Sequence, residues 1–155
     1  MSITKKILSG LLVVFIAIQF IRPEKNVSAA PTPNDVFVHY EAPDSSKQLI
    51  KTACYDCHSN NTVYPWYSEI QPVAWWLNDH IQEGKKELNF NEFAIYAPKK
   101  GDHKMDEVIE MVDKHEMPLK SYSFIHSNAR LTDEQRGAIT GWAKGIRKEM
   151  QPYIK

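Results

Sequence analysis

Residues 44–67 read DSSKQLIKTACYDCHSNNTVYPWY, and this stretch decides how the rest of the chain is read. Ser45 with Gln48 three residues on has the form of a capping box. Leu49, Ile50, Ala53 and Cys54 follow at helical spacing, which predicts one helix closing near Cys57 and His58. Within it, Cys54-Tyr55-Asp56-Cys57-His58 fits C-x-x-C-H, the pattern of covalent c-type haem attachment. The spacing has a physical reason. Two thiols a helical turn apart can each add to one vinyl group of the same porphyrin, and the next residue sets an imidazole beneath the iron. A covalently held haem also supplies apolar bulk that so small a domain lacks. The motif occurs once, so the expectation is one haem c per chain, with Cys54 and Cys57 as thioethers and His58 as proximal iron ligand.

Three other readings compete for the cysteine pair. A structural zinc site needs four ligands, and no second C-x-x-C or H-x3-5-H pair is present. A thioredoxin-like redox pair belongs in a βαβ setting, whereas this stretch is helical in pattern. A plain disulfide suits any exported chain.

Met117-Pro118 follows a helical stretch, and an early C-x-x-C-H with a later Met-Pro and a closing helix is the order a small Met/His cytochrome requires. Met117 is therefore the expected distal ligand. The alternative is His80, on a stripe of Val73, Trp76, Leu77 and Ile81 that predicts an inward-facing side chain. His39 and His103 read as solvent-side and His115 as lying on an outer face, while His126 sits in a loop and is read as contacting either a haem edge or a backbone carbonyl. Tyr64, Trp66, Tyr67, Trp75 and Trp76 are read either as walls of the haem pocket or as ordinary core. Arg130 is read as a propionate partner or a solvated surface residue.

Outward from the motif, a second helix is expected from Pro72 to Gly84, a third from Lys104 to His115, and a last one opened by the capping box of Thr132 and Gln135. The third carries Met105, Val108, Ile109 and Val112 on one face; the last carries Ala138, Ile139, Trp142, Ile146 and Met150. Residues 85–103 sustain no period, and residues 119–131 read as a loop. No stretch alternates convincingly, so the fold class is all-α: about four helices around one haem, preceded by an apolar N-terminal helix.

Lys5 and Lys6 precede an apolar run to Ile21, broken by Ser9, Gly10 and Gln19. This is the pattern of a secretory signal or a short membrane anchor. Ser28-Ala29-Ala30 offers a cleavage point, but it lies nine positions beyond the run. The reading therefore favours an uncleaved anchor through residues 3–21, with the domain on the periplasmic side of the inner membrane. Four prolines make residues 22–43 read as a tether, giving residues 1–30 as signal or anchor, 31–43 as linker and 44–155 as the haem-binding domain. Apolar residues at 43% and charged residues at 25% describe a folded chain. A formal net charge of zero gives no case for nucleic acid and identifies no redox partner.

The stretch Cys54 to Trp142 resembles the haem-binding domain family of exported bacterial c-type cytochrome-like proteins. The resemblance is carried by CYDCHSNNTVYPWY (54–67), PVAWWLNDHIQEGKKELNF (72–90), EMPLKSY (116–122) and IHSNARLTDEQ (125–135). It implies covalent haem at Cys54 and Cys57 with His58 as axial ligand. Ser127 stands where the pattern has proline, which leaves that turn less rigid. Electron transfer is the expected function; the alternative is a haem enzyme or gas sensor with an open distal position.

Overall fold

A computed structural model describes residues 2–154, and every regular element among them is helical. They are α1 (Ile3–Ile18), α2 (Val36–His39), α3 (Asp44–Ala53), α4 (Tyr55–His58), α5 (Val73–Glu87), α6 (Pro98–Asp113), α7 (Lys120–Ile125) and α8 (Asp133–Met150). Short 3-10 segments fill the connections. The all-α expectation holds. Beyond α1, the expected helices correspond to the four longest, α3, α5, α6 and α8, and three short ones add to them. No β-strand occurs among the described residues; an isolated bridge joins Val27 to Asn61.

The core forms where α6 lies along α8 and α3 crosses α8. Met105 and Val112 of α6 meet Ile139, Trp142, Ile146 and Met150 of α8, all buried. Ala138, expected on the same stripe, is exposed. The capping box of α8 forms as the sequence predicts: Thr132 Oγ1 accepts from the Gln135 amide, and Gln135 Oε1 accepts from the Thr132 amide.

Elsewhere the helix boundaries move. Ser45 and Gln48 make no capping box; α3 starts at Asp44 behind Pro43 without a side-chain cap. It breaks at Cys54 (φ −126°, ψ −36°), so the motif straddles a joint between α3 and α4 instead of ending one helix. Gly84 does not end α5. A Cβ there would stand 2.8 Å from the Cys57 carbonyl oxygen, so this glycine is where α4 and α5 touch. That contact turns α5 about its axis: Ala74 and Ile81 are buried, Val73 and Trp76 are exposed, and His80 is only half-buried. The inward-facing reading of His80 is thereby corrected. α6 begins at Pro98, six residues before the expected start, because proline suits a helix's first turn. Residues 119–131 hold α7 and a 3-10 turn at Ser127–Ala129 where a loop was expected.

The proline-rich segment is also more ordered than a tether. Val36 is fully buried in the core. Asp35 caps α2 through the Phe37 amide and accepts from Tyr55 Oη and Asn91 Nδ2. No residue of α1 is buried, and no described helix is long and apolar enough to cross a membrane.

Candidate functional site

Between α3, α4, α6 and α8 lies a cavity of about 380 Å³, lined by Ile50, Leu88, Phe90, Val112, Leu131, Ile139 and Trp142 together with Cys54, His58 and Met117. A largely apolar cavity with a few convergent polar groups is the usual form of a cofactor site. Six charged residues, Glu87, Lys104, Glu107, Glu110, Lys114 and Glu116, also line it.

Cys54 enters from the joint between α3 and α4. Burial pushes its thiol pKa up to about 12. Cys57, one turn on, is half-buried against Gly84 and lies outside the cavity lining; burial, then the Asp56 carboxylate, raises it to about 11. Both thiols are free. His58 Nδ1 lies 3.0 Å from the Leu88 carbonyl oxygen. A carbonyl only accepts, so Nδ1 carries the proton and Nε2 keeps its lone pair for a metal. Burial lowers the His58 pKa, which favours this neutral form.

Met117 reaches the cavity on a helix-ending turn. His115 is left-handed (φ 58°), the His115 amide donates to Val112 O, and the Glu116 amide donates to Met111 O, which together form a Schellman motif. Arg136 of α8 holds the turn: one Nη donates to Val112 O at 3.0 Å and to Met117 O at 2.8 Å.

Other predicted residues lie elsewhere. His80 lies outside the lining, its Nδ1 2.8 Å from Trp76 O. None of Tyr64, Trp66, Tyr67, Trp75 and Trp76 lines the cavity; Phe90 and Trp142 are its aromatic walls. Arg130 is spent on the Ser123 and Phe124 carbonyls at the end of α7. His126 stacks on Tyr122 and meets Tyr67 Oη at 2.6 Å, and Tyr122 Oη in turn donates to Asp56 inside the motif. Sequence reasoning missed Phe90, which sits in an aperiodic stretch, and Arg136, whose function is visible only once its carbonyl partners are placed. Trp142 was legible as core alone, yet its Nε1 is buried with no partner beside the cavity.

Among the described residues, no three side chains of His, Cys, Asp and Glu converge as a bare metal site. The donors present are the His58 imidazole, the Met117 thioether and the Cys54 thiol around a largely apolar hollow, with the Cys57 thiol one turn away, and this set fits haem. A model of the haem-binding domain family matches residues 13–145. The chain belongs to the haem-binding domain family. No curated protein and no solved structure matches it. In this haem-binding domain the match begins inside α1, well before the C-x-x-C-H motif, and ends within α8.

Proposed function

We propose that this chain is an exported, membrane-anchored mono-haem c-type cytochrome that passes electrons to a partner protein. One observation carries the reading: Cys54, His58 and Met117 meet at a single apolar cavity, with Nε2 of His58 left free by the bond at Nδ1. Cys54 and Cys57 are the thioether residues, His58 the proximal ligand and Met117 the distal one. Haem bound there supplies a one-electron iron couple, and a thioether opposite an imidazole raises its potential. The protein's own part is to orient and to exclude water. Leu88 fixes the imidazole, Arg136 fixes the Met117 backbone, and Trp142 Nε1 and Arg136 Nε are buried donors without a partner, on residues beside the cavity. Were His58 and Met117 both to hold the iron, it would have no open position for a substrate, which favours electron transfer over catalysis.

The retained anchor is supported by Asn26. Its side chain donates to Ser59 O and Thr62 Oγ1 and accepts from Lys85 Nζ, all within 2.9 Å. Cleavage after Ala30 would strip those partners from the loop behind the motif.

The test is the chain made in a host that matures c-type haem. The expected product is coloured, heavier than the polypeptide by one haem, and shows a sulfur-to-iron charge-transfer band when oxidised. Met117→Ala should lose that band; an unchanged spectrum in the variant removes Met117 as ligand. Rapid carbon monoxide binding by the reduced wild type would favour the sensor or enzyme reading. A colourless product with the bare polypeptide mass overturns the proposal.

A further inference from the structure

The end of α1 is fastened to one particular face of the domain. Gln19 and Gln71 form an amide bracket: Gln19 Nε2 donates to Gln71 O at 3.3 Å, and the Gln71 amide donates to Gln19 Oε1 at 2.9 Å. Ile21 O accepts from Gln71 Nε2 at 2.8 Å and from Trp75 Nε1 at 2.9 Å. Arg22 and Lys25 both pair with Glu69. Gln71 is itself buried, so this is a built joint.

The segments that meet at this joint also carry exposed apolar side chains. Val63 and Trp66 are each 77% exposed and Phe20 is 85% exposed. Ile70, Val73, Trp76 and Ile21 are exposed as well. Single exposed apolar residues are ordinary, but this many on two short segments tied to each other mark a surface with a partner. The position of the group identifies that partner. Between Ile7 and Ile18, α1 has no charged side chain, and none of its residues is buried. Whatever surrounds the end of α1 also meets the residues bonded to it.

We propose that residues 63–76, with Phe20 and Ile21, form a collar that rests in the headgroup layer of a lipid bilayer. The proposal rests on the anchor reading of residues 3–21. With α1 in lipid, residues 19–22 lie at the membrane surface, and their bonds bring Glu69, Gln71 and Trp75 to the same level. Indole rings favour that layer because an apolar body and a polar N–H are both satisfied there. The Arg22–Glu69–Lys25 cluster gives the collar a polar edge on the headgroup side.

The test uses the full haem-loaded chain in phosphatidylcholine nanodiscs. Its four tryptophans are replaced by 5-fluorotryptophan, assigned through Trp66→Phe and Trp76→Phe and read by fluorine NMR with the haem reduced. Lipids with a gadolinium chelate on the headgroup, which the haem reductant leaves unchanged, should abolish the Trp66 and Trp76 resonances and spare that of Trp142. Sharp Trp66 and Trp76 lines from a chain that co-elutes with the discs overturn the collar and leave the anchor standing. The same sharp lines with a doubled particle mass assign the face to a second copy. A chain that does not co-elute with the discs overturns the anchor, and the collar with it.

Discussion

At the residue scale, the two motif cysteines are poor nucleophiles until something draws them out. Burial holds Cys54 near 12 and Cys57 near 11, so the thiolate fraction at pH 8 is far below that of a free cysteine. Iodoacetamide should therefore alkylate Cys57 in the folded, haem-free chain roughly a hundredfold more slowly than in the urea-unfolded chain. Because the folded pKa is raised, the rate should climb about tenfold per pH unit from pH 8 towards 11. Equal rates in the two states, followed by mass spectrometry, would show the thiols to be solvated. Residues picked out by local spacing were legible as neighbours: Cys54, His58 and Met117 line one cavity. Residues whose role follows from a long-range partner were not. Arg136 looks like any helix-surface arginine until Val112 O and Met117 O come within reach. Arg130 looks like a propionate partner until the end of α7 claims it.

At the element scale, two backbone positions decide how the site is framed. Gly84 lets α5 touch α4 at Cys57. Gly84→Ala adds a methyl against a backbone carbonyl that cannot move alone, and overpacking of this kind costs about 1–3 kcal/mol. The helix preference of alanine recovers part of that, so a net loss of stability is expected in urea unfolding. A gain would mean that α4 and α5 part readily. His115 holds the left-handed position of the Schellman turn, where glycine carries no steric penalty. His115→Gly should raise stability by up to about 1 kcal/mol, seen as a higher urea midpoint with an unchanged slope. The long helices were readable because α6 and α8 keep their apolar period, and the Thr132–Gln135 cap is local. α5 was misread in rotation because its packing face is set by a missing side chain, at Gly84, rather than by a stripe of large ones. α7 was missed because at six residues it is too short to display a period.

At the scale of the whole molecule, stability begins well before residue 44, where the sequence alone places the start of the domain. Asn26 is buried, and its side chain joins residues 22–43 to Ser59, Thr62 and Lys85. Asn26→Ala should cost about 1–3 kcal/mol, since it leaves buried partners unmet. A variant as stable as wild type would show that the segment rests on the domain without supporting it. Composition could not reveal this, because the segment is held by single side chains, Gln19, Asn26 and Asp35, and has no periodic face. The stitching from Gln19 to Asn26 also has a mechanical consequence. Extra glycines between Ser28 and Pro33 would only enlarge a surface loop, because both flanks are already tied down. Extra glycines between Ile18 and Gln19 would cut the lever at its pivot, leaving the haem-binding domain free to turn relative to α1.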